Sequence, residues 1–175
     1  MAAKKQTKKV RSAVSTLLIR QHKEVKAIFK QLEAGKSDPA PLLAALTNNL
    51  AAHMAIEQDL YYPAVKQLKE DLVLESYEEH SLAELGLKRL LATSPQDEAF
   101  DARVTACKEL IEHHVEEEEE ELFPTVDRKM PKEQLDELAR AMKTRFEAVL
   151  GAGFLAAVPK GMNKTSADVS KRRTK

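Results

Sequence analysis

Two short segments of the chain combine residues that commonly bind metal ions. HMAIE and HVEEE each place a glutamate four residues after a histidine, at His53 and Glu57 and at His114 and Glu118. Residues four apart differ by only about 40° around an α-helix, so each histidine shares a helix face with its glutamate. Neutral imidazole together with carboxylate suits divalent iron, manganese or zinc.

Two further histidines, His22 and His80, each occur singly. His22 follows Leu18 by four residues and His80 follows Tyr77 by three, which places both on the apolar stripe of a helix. The other two histidines lie on such stripes as well. An ionised carboxylate that is buried without a partner destabilises the fold by several kcal/mol. Four histidines and two or three carboxylates facing one core therefore predict compensating cations, and paired carboxylates suit a dinuclear site.

The chain contains an internal repeat, since HMAIEQDLYYPAV (53–65) and HVEEEEEELFPTV (114–126) align without a gap. The alignment pairs Glu57 with Glu118 and so selects one inward glutamate from the run 116–121. The other glutamates of the run are predicted to be mostly solvated. His113, about 100° from His114 around the helix, is predicted to lie on the surface.

Five amphipathic patterns predict the helices that position these residues. Apolar residues recur every three to four positions, a period that favours helices over strands. The predicted helices span 12–32, 41–67, 72–92, 98–123 and 132–150. Pro63 is expected to loosen the end of the second, and the fourth is expected to end before Pro124. The third carries Leu87 and Leu91 on its predicted core side.

Short connections between long helices predict an all-α, up-down-up-down four-helix bundle with an extra C-terminal helix. We assign the bundle to residues 13–150, with its core in 13–126 and the extra helix in 132–150. Tyr61, Tyr62 and Cys107 are interpreted as packing residues, with lining of a pocket as the alternative for one of the tyrosines.

The charge distribution predicts two basic flexible tails, at 1–12 and 151–175. The formal net charge is zero, but residues 1–12 and 160–175 carry +5 each, which leaves −10 on residues 13–159. The tails are interpreted as solubilising ends. They contain no interleaved aromatics, so any binding to polyanions would be weak, and no specific nucleic acid is predicted.

The chain contains no apolar run of about 20 residues, so no membrane span is predicted. The single cysteine excludes an intrachain disulfide, and a cytoplasmic location is predicted. The oligomeric state stays open.

The order of these motifs resembles the hemerythrin-like family, also called the HHE cation-binding domain. The resemblance covers about residues 12–126 and includes LYYP and LFP after the two His-x-x-x-Glu segments. It implies a nonhaem di-iron centre with an oxo or hydroxo bridge, although manganese or zinc remains possible. The resemblance further implies that Glu57 and Glu118 bridge the two iron ions. It implies as terminal ligands His22, His53, His80 and His114.

The third helix departs from the pattern of the oxygen carriers in this family, which place a second histidine four residues from the first. Here Glu84 follows His80 by four residues. Either Glu84 is a substitute ligand or one iron has an additional open position. Both alternatives argue against stable oxygen carriage. Ferritin-like proteins instead place glutamate three residues before histidine, so ferritin-like chemistry is disfavoured.

The resemblance implies a protein that binds or reacts with a small oxidant, namely O₂, NO or H₂O₂. An enzymatic version of this function is peroxide disproportionation or another small redox reaction. The alternatives are an iron-handling or iron-sensing protein and a metal-free helical interaction protein.

Overall fold

The computed structural model describes residues 11–153, and this part of the chain forms helices and turns but no strand. Most of both predicted basic tails lies outside the described residues. The prediction of an all-α bundle is confirmed. No helix within 11–153 is both long and apolar enough to cross a membrane.

Four long helices form the bundle, and a fifth packs against it. Helix α1 spans Ala13–Ala34 and helix α3 spans Glu70–Leu91. Helices α2 and α4 begin as α-helices at Pro39–Ile56 and Phe100–Glu117 and then continue through irregular turns. Helix α5, Lys132–Ala152, packs chiefly against α1 and α2. Its buried side chains are Leu135, Met142 and Val149.

Helix α1 has well-defined ends. The Ser12 side chain accepts a hydrogen bond from the Ser15 N–H, and Gly35 closes the helix with a φ of 60°. A serine cap satisfies a free N–H of the first turn, and glycine adopts a positive φ without steric cost. These signals fix where α1 begins and ends, and thereby the position of His22 within it.

Both glutamates of the repeat begin a π-helical turn, at Glu57–Tyr61 in α2 and at Glu118–Leu122 in α4. After each turn, the chain returns to α-helix over Tyr62–Val65 and Phe123–Lys129. The prediction that the fourth helix ends before Pro124 is therefore wrong. Each π turn ends two residues before a proline, Pro63 or Pro124, and so loosens the hydrogen-bond ladder near the residue that has no N–H to donate.

The bundle interior consists of two apolar clusters with the histidines between them. One cluster includes Phe29, Leu50 and Leu87, together with Cys107, which is buried as predicted. The other includes Leu18, Tyr61 and Leu122. In each of the four bundle helices, one histidine lies near the boundary between residues of the first cluster and residues of the second. The buried polar residues of the repeat therefore lie between two apolar clusters.

The predicted core side of α3 is partly wrong. Leu91 is 41% exposed, whereas Leu90 is fully buried. Leu90 follows the buried Leu87 by three residues, so the apolar stripe steps by three where we expected four.

Candidate metal centre

The four helices bring the Nε2 atoms of four histidines together in two pairs. His22 Nε2 lies 3.2 Å from His53 Nε2, and His80 Nε2 lies 3.1 Å from His114 Nε2. All four residues are buried. The first pair joins α1 to α2 and the second joins α3 to α4.

Glu57 and Glu118 each lie between the two histidine pairs. Glu57 Oε2 is 3.2 Å from His53 Nε2 and 3.4 Å from His80 Nε2. Glu118 Oε2 is 3.4 Å from His22 Nε2 and 3.6 Å from the Nε2 of His114. Both glutamates are completely buried. Each carboxylate therefore faces one histidine of each pair, as a bridging ligand would.

The donor atoms fit two cations that share a carboxylate. Ligand atoms within 4.8 Å of one another form two buried groups: His22, His53, Glu57 and Glu118, and Glu57, His80 and His114. Both oxygens of Glu57 and one of Glu118 have no hydrogen-bond partner within the described chain. Buried carboxylate oxygens without donors are costly, and a divalent cation is the partner that this nitrogen and oxygen set suits.

Each histidine has a polar side chain at its other ring nitrogen. Glu119 Oε1 lies 2.9 Å from the Nδ1 of His22 and Glu79 Oε2 lies 2.7 Å from the Nδ1 of His114. Such outer contacts fix the ring orientation and leave Nε2 free to bind a metal.

The remaining two histidines have amide partners. Gln21 Oε1 lies 2.9 Å from His53 Nδ1. The Gln58 amide nitrogen lies 3.1 Å from His80 Nδ1, and a 180° rotation of the amide would place its oxygen there instead. Each histidine pair thus has one carboxylate and one amide behind it.

The partners behind the rings separate the pKa values of the histidines. Burial alone would lower the pKa of His22 and His114, but carboxylates at both nitrogens raise it above the ordinary value. Burial and the neighbouring His22 lower the pKa of His53 well below that value. Burial and His114 lower the pKa of His80 to about 3. Two of the four rings are therefore strongly held in the neutral form that binds metal.

The two buried glutamates, Glu57 and Glu118, also differ in pKa. Burial and the nearby charge of Glu118 raise the pKa of Glu57 well above its ordinary value. Burial opposes ionisation of Glu118 too, but His114 and His22 lower its pKa to about 2. Two carboxylates in one dry site resist carrying two charges, and a cation removes that conflict.

Tyr62 lies within the site, which agrees with the alternative interpretation that one of the two tyrosines lines the pocket. Its hydroxyl donates a hydrogen bond to Glu118 Oε1 at 3.0 Å and lies 3.2 Å from His80 Nε2 and 3.4 Å from His114 Nε2. The residue that matches it in the repeat is Phe123, which stacks on His22 with ring centroids 5.8 Å apart. The second histidine pair therefore has the Tyr62 hydroxyl beside it, whereas His22 of the first pair has a phenyl ring at the matching position.

Glu84 is the one predicted site residue that the structure does not bring into either buried group. Its carboxylate lies 3.9 Å from the Lys88 ammonium. One of its oxygens is buried without a hydrogen bond, and burial raises its pKa. The other six predicted residues come together, and their role as metal ligands stays a prediction. His113 is on the surface, as predicted.

A small cavity of about 20 Å³ adjoins the histidines. It has room for about one water-sized molecule. Its walls include all four site histidines and apolar side chains such as Leu50, Met54 and Ile111. A ligand that reaches the histidines from this side must be small.

Fold and site together define a helical-bundle protein with a buried histidine and glutamate cluster suited to metal binding. A family model described as "Hemerythrin HHE cation binding domain" matches residues 13–126. The chain belongs to this family, as the resemblance predicted.

Two similar proteins place the chain in context. A crystal structure of a hemerythrin HHE cation binding domain-containing protein from Mycobacterium kansasii is 26% identical, with a TM-score of 0.70. The match covers 82% of this chain and 89% of that one. A DNA nickase from a Nostoc species is 28% identical over 137 residues, 74% of this chain. The chain spans only 39% of the length of that relative.

Proposed function

We propose that the chain holds two metal ions, with iron as the preferred metal, and binds or reacts with a small oxidant such as O₂, NO or H₂O₂. One ion would be held by His22 and His53 and the other by His80 and His114, with Glu57 and Glu118 shared. Manganese and zinc are the alternatives that the same donor atoms accept.

The observation that carries this proposal is the state of the two shared carboxylates. Glu57 and Glu118 are completely buried, yet three of their four oxygens have no hydrogen-bond partner in the described chain. A purely structural pair in a dry core would need donors for these oxygens. Four Nε2 atoms surround them at 3.2–3.6 Å, an arrangement that suits shared cations better than packing.

The size of the adjoining cavity supports a diatomic or peroxide ligand. A space of about 20 Å³ matches a ligand of a few atoms. A bound ferrous pair would supply electrons to such a ligand. The apolar clusters on both sides of the site limit the access of water, and the Nδ1 partners hold each imidazole ring in place.

Tyr62 is well placed to act on a small ligand bound beside His80 and His114. Its hydroxyl lies within 3.4 Å of two Nε2 atoms, and burial raises its pKa well above the ordinary value. It therefore stays a hydrogen-bond donor near neutral pH. We propose that this O–H, which donates to Glu118 Oε1 in the structure, exchanges that bond for one to a small ligand beside the second histidine pair. Glu84 is left out of the proposed ligand set because it lies outside both groups.

The first experiment is metal analysis of the purified protein, combined with optical spectra before and after air is admitted to a ferrous sample. We expect two irons per chain and new near-ultraviolet absorption. His53→Ala should lose bound metal, whereas Glu84→Gln, the matched control for a nearly buried carboxylate, should keep it. Absence of metal after reconstitution with ferrous iron would refute the proposal.

The behaviour towards oxidants separates the versions of the function. Oxygen evolution from H₂O₂ over many turnovers would favour peroxide disproportionation. A reversible spectral change with O₂ or NO would favour binding or sensing. The DNA nickase activity of the Nostoc relative is not extended to this chain, which covers less than half of that protein.

A further inference from the structure

A second group of metal-binding side chains lies outside the buried centre, on the face where α3 meets α4. It consists of Glu79, His113 and Glu117. His113 is 62% exposed, Glu117 is 26% exposed and Glu79 is 10% exposed. The group therefore opens to solvent at the histidine and closes into the protein at Glu79.

The distances within the group suit a shared cation. His113 Nε2 lies 3.7 Å from Glu117 Oε1 and 3.9 Å from Glu79 Oε1, both too long for hydrogen bonds. Two ligand atoms bound to one metal at about 2.1 Å are about 3–3.5 Å apart. Small side-chain movements would close the difference.

A further observation points to a missing partner. The other oxygen of Glu117 is buried and has no hydrogen bond within the described chain. A cation among these carboxylates would offset their mutual repulsion.

Glu79 connects this exterior group with the buried centre. Its Oε2 lies 2.7 Å from His114 Nδ1, whereas its Oε1 faces His113. One carboxylate thus contacts a proposed inner ligand and an exposed histidine. In the repeat, the positions that match His113 and Glu117 hold Ala52 and Ile56, both buried and apolar. The exterior group therefore exists on one side of the bundle only.

We propose that Glu79, His113 and Glu117 form a surface site for a divalent transition-metal cation, which captures the cation before it enters the buried centre. The binding itself is independent of the function proposed above, whereas the capture role rests on it. Histidine with two carboxylates suits ferrous iron, manganese, zinc or cobalt.

Cobalt(II) added to the metal-free full-length protein is a suitable probe, because its visible absorption reports ligand binding. Four proteins should be compared with the wild type: His113→Ala, Glu117→Gln, His53→Ala and the control Glu116→Gln. Glu116 is exposed on the same helix and belongs to neither the buried nor the exterior group, so the control removes one charge and no ligand.

We expect His113→Ala and Glu117→Gln to lower the affinity for one of the bound cobalt ions by about tenfold or more. Loss of even an outer-shell partner lowers metal affinity by about 10–100-fold. At limiting cobalt, the same variants should fill the buried site several times more slowly, and Glu116→Gln should behave like the wild type. Circular dichroism should show that all variants keep their helices.

Two results would overturn the proposal. If His113→Ala binds as many cobalt equivalents as the wild type, the exterior site does not exist. If that variant loses an equivalent but fills the buried site at the wild-type rate, the capture role is wrong. Failure of the proposed buried centre would look different, because His53→Ala would then bind cobalt like the wild type while the His113-dependent equivalent remained.

Discussion

Two adjacent tyrosines should respond in opposite directions when their hydroxyl groups are removed. Tyr61 and Tyr62 are both completely buried. The Tyr62 hydroxyl donates to Glu118 Oε1 at 3.0 Å, whereas the Tyr61 hydroxyl has no hydrogen-bond partner in the described chain. Tyr62→Phe should therefore destabilise the metal-free protein, and Tyr61→Phe should stabilise it.

The size of each effect follows from the local contacts. A hydrogen bond to a charged group contributes about 1.5–3 kcal/mol, and the low pKa of Glu118, about 2, indicates that its carboxylate is charged near neutral pH. For a chain of 175 residues, one kcal/mol corresponds to about 2–4 °C in Tm. Tyr62→Phe should lower Tm by about 3–12 °C. Removal of the unsatisfied hydroxyl of Tyr61 should raise it by about 2–4 °C, for a gain of about 1 kcal/mol.

Thermal unfolding of the metal-free protein, followed by circular dichroism, measures both changes under the same conditions. The two variants control each other, since each exchanges one buried tyrosine for phenylalanine. Equal destabilisation by both would show that the hydroxyl contacts do not determine the outcome. An unchanged Tm for Tyr62→Phe would refute the hydrogen bond to Glu118.

Three further outcomes test the fold and the site. Chelation of both bound metal ions should lower Tm by about 16–32 °C, because free metal at about 1,000 times its Kd stabilises a fold by about 4 kcal/mol per site and the proposed centre has two sites; an unchanged Tm would argue against buried metal. Met142→Ala should destabilise by about 2–5 kcal/mol in denaturant titrations, since Met142 is fully buried in α5, whereas the exposed Lys143→Ala should have little effect. Burial raises the pKa of Cys107 from its ordinary value of 9.0 to about 11. Any stability that the neutral thiol contributes is therefore fully present below pH 9.0 and is lost as the pH rises through 11. At pH 8 a thiol reagent should react with Cys107 only as fast as the protein unfolds, and rapid labelling of the native protein would contradict the packing.

The helical periodicity of the sequence was sufficient to predict the bundle, because each helix has an apolar stripe of ordinary spacing. It failed at Pro124, where proline rules predict an end. The π turn at Glu118–Leu122 depends on one additional residue in the turn, and no residue type marks it. The error at Leu91 has a similar origin, since Leu90 and Leu91 are both leucine and only packing decides which one faces inward.

The site was predictable where the sequence repeats itself and obscure where it does not. His53, Glu57, His114 and Glu118 come from matched segments, and they lie together in the structure. Glu84 was predicted from its spacing to His80 alone, and it lies outside. Spacing along one helix identifies a shared side but does not show how far towards the centre a side chain reaches.

The partners behind the histidines left a signal that could have been used. Gln21 directly precedes His22 and Glu79 directly precedes His80, whereas Gln58 and Glu119 directly follow the two glutamates of the repeat. Each is a polar side chain that contacts an Nδ1 atom of a histidine on another helix. The position of these four residues next to the motifs marks them as candidates for such a role, whereas the histidine that each one contacts follows only from the packing of the helices.

The matching contacts make the α1–α2 hairpin and the α3–α4 hairpin equivalent in what each contributes to the centre. Gln21 corresponds to Glu79, Gln58 to Glu119 and Tyr62 to Phe123. Neither hairpin has a complete site, since each supplies one carboxylate that reaches a histidine of the other. This is the arrangement expected from duplication of a hairpin that once paired with a second copy of itself. Because the copies now differ at Tyr62 and Phe123, the two halves of the centre are chemically distinct and can specialise separately.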